Sequence, residues 1–482
     1  MSQAAEQFFP PAVRGRWLPR GAQTRTRQRQ WGYGTIAFCL LHIPMALLLS
    51  QAGQISTLHA LAVLLIGIGC AVGSPHRPLR VAYVGAYITG AEVLWRMTNA
   101  QVFWEYGKYA TATIFLIAIL RKGKFRGPAL MLGYFALLMP SVAIIVARLG
   151  PAEAQGYISF NLSGPFALMV AAWFFSQHKL SLEHIKGIFL AAAGPIIGIA
   201  SITFYSIYTA EKISFTSESN YLSSGGFGPN QVSAALGLGV LFALMFVVLG
   251  RTNRILRFFM MGVMIFLAVQ SALTFSRGGL YNTVGAAAFA SVYLLRDPRM
   301  RRSILVVAVV VFVLGSYLIL PRLETLTEGK LSNRFTSTDS TNRVKIVKDE
   351  IRIWRAHPLL GVGPGGSTFA GVPTAHTEFG RLPAEHGSFG LLALVLLLIA
   401  AAKNIQKAKS IKARAIAVCL IGWSFLFMMN AAMRLVAPAF AFGLACATLL
   451  PETIPSLKAL TISPRRRRAQ RINRVRAVTA SS

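Results

Sequence analysis

Apolar runs of about 20 residues recur along the chain, the length that crosses a bilayer core as a helix. They predict spans at 32–50, 55–73, 81–98, 107–120, 128–148, 157–176, 187–208, 230–250, 257–275, 278–295, 303–320, 387–402, 414–430 and 432–450. The expected fold is therefore an all-α polytopic membrane protein with roughly fourteen transmembrane helices. The pattern changes once on a large scale, at 321–386, a long polar stretch between the eleventh and twelfth spans. Inside it Val344, Val347, Ile351 and Trp354 recur at helical spacing, with Lys345, Lys348, Asp349, Arg352 and Arg355 on other faces. That spacing predicts an amphipathic helix ended by Pro358, lying at a membrane interface with Trp354 as anchor.

Composition agrees with the pattern. Of 482 residues 54% are hydrophobic and 13% charged, against roughly 25% charged in soluble domains. The net charge of +33 would suit nucleic acid, but its distribution argues for a membrane instead. The N-terminal arm, the C-terminal tail and the loops 74–80, 121–126, 176–186, 251–257, 296–302 and 403–414 hold 34 of the 49 Lys and Arg but 4 of the 16 Asp and Glu. Basic residues in every second loop place those loops and both termini in the cytoplasm, and 321–386 in the periplasm. The expected organisation is a basic cytoplasmic arm at 1–30, helices 1–11 over 31–320, a large catalytic periplasmic loop at 321–386, helices 12–14 over 387–450 and a basic cytoplasmic tail at 451–482. The first span reads as a retained signal anchor. Membrane lipids are the expected partner of the basic segments, and nucleic acid is not.

Candidate chemistry gathers on the polar side. GVGPGG matches G-x-G-x-x-G at Gly361, Gly363 and Gly366, but without a βαβ context it reads first as a turn closing the amphipathic helix, with close approach to a phosphate as the alternative. His376 and His386 share a short segment with Glu378, Arg381 and Glu385, and histidine suits proton transfer near neutral pH. Arg277, at the end of a span, is costly there unless paired or functional, and its planar fork suits a diphosphate. Arg434 and the pair Glu92/Arg96 lie in other spans; Glu92 and Arg96 are spaced to neutralise each other on one helix face. The whole chain has three aspartates, no zinc-like ligand spacing and no Walker lysine, so phosphate chemistry here is expected to rest on Arg and His, with no metal or cofactor. Cys39, Cys70, Cys419 and Cys446 lie in apolar segments and suggest no disulfide framework.

Several segments together resemble the O-antigen ligase / O-antigen polymerase family, over roughly 190–450: GGFGPNQ at 225–231, SRGGLYN at 276–282, RVKIVKDEIRIWRAHPLLGVGPGG, and AHTEFGRLPAEHGSFG. In the last, His376, Glu385, Gly387 and Gly390 fit the family's pattern, while Thr377 stands for the usual Asn, Gly380 for a common Leu, and His386 is extra. The resemblance implies a bacterial inner-membrane glycosyltransferase that moves a glycan from undecaprenyl diphosphate to an acceptor hydroxyl, inverting and metal-independent. It implies His376 as base or acceptor-positioning group and Arg277 as diphosphate ligand, with Arg343, Arg352, Arg381, Glu385, Asn230 and Arg434 as further substrate-binding candidates. The implied partners are an undecaprenyl-diphosphate-linked oligosaccharide, a glycan or lipid acceptor and other polysaccharide-assembly proteins. A polymerase of O-antigen or exopolysaccharide is the leading reading; a ligase acting on lipid A core, a transporter or flippase, and a scaffold subunit are the rivals.

Overall fold

The computed structural model describes residues 32–73, 78–123, 127–211, 213, 215, 218–249, 253–336, 343–372 and 377–450. It is helical almost throughout. In order come α1 (Tyr33–Gln51), α2 (Gly53–Gly73), α3 (Pro78–Met97), α4 (Tyr106–Lys122), α5 (Ala129–Ala136), α6 (Val142–Leu149), α7 (Pro151–Ser176), α8 (Leu182–Thr209), α9 (Pro229–Val248), α10 (Arg254–Leu273), α11 (Arg277–Leu294) and α12 (Pro298–Val313). α12 runs through a π-helical stretch, Leu314–Ile319, into α13 (Leu320–Thr327); α14 (Lys330–Thr336), α15 (Arg343–Ala356), α16 (Glu378–Lys407), α17 (Ile411–Ala431) and α18 (Ala437–Ala445) follow. A two-residue parallel pairing, Lys179 with Thr448 and Leu180 with Leu449, ties the α7–α8 link to the exit of α18.

Nine helices among the described residues are long and apolar enough to cross a membrane: α1, α2, α7, α8, α9, α10, the continuous α12–α13 rod, α16 and α17. Their burial sorts them. The apolar windows of α8 and α9 are 89% buried inside the protein, whereas that of the α12–α13 rod is 6% buried and faces outward along its length. α8 and α9 are thus the centre of the bundle, and the rod belongs to its lipid-facing rim. The helices at the centre approach through small residues: a side chain at Gly237 of α9 would strike the backbone of Gly279 in α11, and Thr283 Oγ1 donates to the Gly237 carbonyl at 2.6 Å. All four cysteines are free.

The structure corrects several expected elements. The span expected at 128–148 is two short helices, α5 and α6, because Pro140 has no N–H to continue the ladder and a turn forms at 137–141. The last span, 432–450, is the nine-residue α18. The polar stretch 321–386 is mostly helical, through α13, α14, α15 and the first turns of α16, which opens at Glu378 instead of near 387. The amphipathic helix is present as α15, but its inward face is Ile346, Glu350 and Ile353. Val344 and Ile351, expected on the apolar side, are exposed, since the protein packs against the neighbouring stripe.

Candidate functional site

Two polar clusters lie inside the bundle, joined through α4. The first is built on arginines. Arg96, near the end of α3, pairs with Glu92 at 2.8 Å, as the i,i+4 spacing predicts. It also donates to Gln231 Oε1 at 2.6 Å, to the Trp104 carbonyl at 2.8 Å and to the Arg434 carbonyl at 3.3 Å, with its guanidinium over the Trp104 ring. Glu92 in turn accepts from the Val436 N–H at 2.7 Å, so one buried ion pair holds α3 to the turn between α17 and α18. Beside Gln231, Asn230 accepts from Ser276 Oγ at 2.8 Å, which sets the start of α11 and Arg277 next to this network. From above, Arg334 of α14 donates through Nε to the Phe275 carbonyl at 3.0 Å.

The backbone around these arginines is strained. Among the described residues four non-glycine positions have positive φ, and three of them, Asn99, Phe275 and Ala432, fall within three residues of Arg96, Arg277 and Arg434. Such conformations cost on the order of 1–3 kcal/mol each and gather where a site over-determines the chain.

The second cluster is carboxylate-rich. Arg381 of α16 is buried and bonds Glu378 at 2.5 Å and Glu385 at 2.9 Å on its own helix, and both the side chain and the carbonyl of Asn161 on α7. Glu350 of α15 lies over Gly380, fully buried, and neither of its oxygens has a hydrogen-bond partner among the described residues. Burial pushes its carboxyl up to about 8; Glu385 and Glu378 add to the rise and Arg381 opposes it. Lys108 of α4, also buried, donates to Ser163 of α7 at 3.3 Å and stands between the two clusters, within electrostatic reach of Glu92, Arg96, Glu105 and Arg381. His386 bonds Ser141 through Nδ1 at 2.5 Å.

The glycine motif holds this second cluster together. α16 breaks at Gly387, whose φ of 61° and ψ of −142° leave the helical region. The Ser388 N–H turns to the Pro358 carbonyl at 2.7 Å, which frees the carbonyls of Ala384 and Glu385. The N–H groups of Val362 and Gly363 fill them at 3.1 and 2.9 Å. Gly361, Gly363 and Gly365 all have positive φ. GVGPGG is therefore a buckle on a broken helix, and two of its amides are committed to that helix, which favours the turn reading over the phosphate reading. Between the buckle and α7 lies a cavity of about 270 Å³ lined by Gly156, Tyr157, Phe160, Asn161, Gly365, Ser367, Thr368 and Glu385.

Of the residues singled out from the sequence, Asn230, Arg277 and Arg434 come together in the first cluster, and Arg381 and Glu385 in the second. Arg343 opens α15. Arg352 is exposed, pairs with Asp349 at 3.1 Å and joins neither cluster. His376 lies outside the described residues. Sequence reasoning did not single out Arg334, Gln231, Asn161 or Glu350; Gln231 and Glu350 lie inside the family-like segments, while Arg334 and Asn161 have ordinary sequence surroundings and gain their roles from contacts across the fold.

The segment that carries Arg277, Arg334, the buckle and the acidic start of α16 is the part of the chain with a known counterpart. Residues 271–395 match the O-antigen ligase family. The match supports assignment to the O-antigen ligase/polymerase family, and with it an enzyme of glycosyltransferase type and, given the apolar helices, a bacterial inner-membrane protein. No curated protein matches the chain. The O-antigen ligase segment runs from the end of α10 past the middle of α16; Asn230, Arg96 and Arg434 contribute from outside it.

Proposed function

We propose that this protein transfers a glycan from undecaprenyl diphosphate to an acceptor hydroxyl at the periplasmic face, as a polysaccharide polymerase. The observation that carries the reading is Arg277 at the head of α11, inside the O-antigen ligase segment, set by Asn230 and Ser276 beside Arg96 and Arg434. The bond broken is C1–O–phosphate. Its leaving group already carries negative charge, so it needs cations held in place and no general acid. The attacking hydroxyl needs a base and close positioning, the role proposed for His376. Inversion at C1 and independence from metal follow from that scheme: a single displacement, with arginines in place of a cation bridge. The alternating basic loops favour cytoplasmic termini and a periplasmic 321–386 segment.

The O-antigen ligase description of the matched family favours a second reading, transfer to lipid A core. One experiment separates the two. The gene is deleted, and the length ladder of lipid-linked glycan is compared with the glycan on lipid A. Loss of long chains from the carrier supports the polymerase; long chains accumulating on the carrier support the ligase and overturn the polymerase.

A further inference from the structure

The 270 Å³ cavity between α7 and the glycine buckle is not used by the displacement chemistry above. Its mouth is formed by exposed Gly156 and Thr368, and its floor by buried Glu385 and Ser367. The walls are unlike on two sides. One carries the rings of Tyr157 and Phe160, with Tyr157 fixed against Phe369 at 5.2 Å between centroids and Phe160 backed by Lys108. The other carries acceptors: the Glu385 carboxylate, oriented by Arg381 at 2.9 Å, and the Ser367 hydroxyl, which is buried and has no hydrogen-bond partner among the described residues. A buried hydroxyl left unsatisfied is destabilising, so a ligand that supplies a partner is favoured there.

We propose that this cavity is a subsite for one uncharged sugar ring of the glycan acceptor. The ring's C–H face would lie on Tyr157 and Phe160, and its hydroxyls would donate to Glu385 and bond Ser367. The chemistry discriminates against other occupants of such an enzyme. A phosphate would meet the Glu385 carboxylate, and an acyl chain would leave the Ser367 hydroxyl without a partner. The volume lies just under the roughly 300–1,000 Å³ of drug-sized ligand sites, which suits a single ring better than an oligosaccharide. Glu385 sits on the first turns of α16, nine residues after His376 in the chain. The assignment of the ring to the acceptor rests on the proposed transferase function; the sugar site itself rests on the cavity.

Gly156 supplies a clean test. A Cβ built there meets no atom within 4 Å, so Gly156→Leu adds bulk at the cavity's mouth without a clash at its Cβ and replaces a helical glycine by a better helix former. The full chain in nanodiscs is mixed with a panel of free hexoses and N-acetylhexosamines, and saturation-transfer NMR is recorded, with inorganic pyrophosphate as the contrast ligand. At least one sugar is expected to receive saturation on its apolar face, at least ~tenfold less in Gly156→Leu and Tyr157→Ala, with pyrophosphate unaffected by either change. Equal sugar saturation in wild type and Gly156→Leu, or none from any sugar in the panel, overturns the subsite. Unchanged thermal unfolding of Gly156→Leu shows that any loss is local. Glycan transfer by the wild type and by His376→Ala is assayed in parallel: no transfer by the wild type counts against the enzyme reading, transfer that survives in His376→Ala counts against His376 as the base, and either result leaves the sugar contacts as a separate finding.

Discussion

Gly363 donates its backbone N–H to the carbonyl of Glu385 at 2.9 Å, across a break in α16 that only a glycine at 387 makes possible. The bond turns a glycine-rich motif that looks like a phosphate loop into the clasp of a carboxylate cluster. A methyl group on Gly361 would strike the backbone of Ala384 and Glu385, and one on Gly387 the backbone of Leu359 and Gly361. Both positions also have positive φ. Gly361→Ala and Gly387→Ala are therefore expected to cost at least ~1–3 kcal/mol each. Thermal unfolding of the detergent-solubilised protein checks this; a melting temperature equal to wild type would refute the clasp.

Glu350 gives the fold a pH dependence with a definite sign. Its carboxyl is pushed up from 4.5 to about 8 by burial and by Glu385 and Glu378, against the pull of Arg381. The native state then holds a proton that the unfolded chain gives up above its ordinary range. Stability falls as pH rises from about 4.5 to about 8 and levels off above it. Glu350→Gln, which keeps the shape and removes the charge, is expected to flatten that decline and to raise stability at pH 8 by roughly 1–2 kcal/mol. Melting curves at pH 5 and pH 8 for both proteins measure it. A Gln variant that declines with pH as steeply as wild type would show that Glu350 is not the group.

Among the described residues, Arg381 is the one cation paired with both Glu378 and Glu385. Arg381→Ala leaves two buried carboxylates facing each other and removes both links to Asn161. The expected cost is about 3–5 kcal/mol, enough to lower the amount of folded protein in the membrane. Arg381→Met together with Glu378→Gln and Glu385→Gln removes the charges as a set and is expected to recover part of that loss. Expression and melting temperature of the two variants decide it.

Arg277→Ala and His376→Ala are expected to lower glycan transfer by about 100-fold or more, with the protein still inserted and expressed. Wild-type ladders of glycan in both variants would defeat the site assignment. Transfer in isolated membranes is expected to survive thorough EDTA treatment, and a loss restored by Mg²⁺ would defeat the metal-independent scheme.

Much of the architecture was legible in the chain because bilayer thickness imposes one length on apolar runs. α1, α2, α8 and α9 lie within a few residues of their expected bounds for that reason. The pair Glu92–Arg96 was legible because i,i+4 spacing is local. The site was legible only in halves. Arg277 and Glu385 stand out in sequence, but Arg334 to Phe275 spans 59 residues and Arg381 to Asn161 spans 220, and nothing in either neighbourhood announces the partner. The face of α15 was misjudged for a related reason. Periodicity finds an apolar stripe, but the protein packed against Ile346, Glu350 and Ile353 and buried a carboxylate there.

Arg334 supports a last prediction. It is buried, belongs to the short helix α14, and donates to the carbonyl of Phe275, a residue at φ 56° two positions before Arg277. A bulky residue in that conformation persists only while its neighbours hold it. Ser223 Oγ donates to the Leu273 carbonyl at 2.5 Å, Asn220 N–H to the Thr274 carbonyl at 3.0 Å and Ser233 Oγ to the Ser276 carbonyl at 2.8 Å, so Arg334 is one of several groups pinning this turn. Without it the turn that leads into Arg277 is expected to relax, and a displacement of about 1 Å at a reacting centre costs on the order of 100-fold. Arg334→Ala is therefore expected to reduce transfer by about 10- to 100-fold with normal insertion, less than Arg277→Ala does. Arg334→Lys, whose ammonium lacks the fixed fork, is expected to recover only part of it. In transfer kinetics with a defined lipid-linked donor, a positioning role lowers the rate at saturating donor. A variant whose rate at saturation equals wild type would show that Arg334 only braces α14.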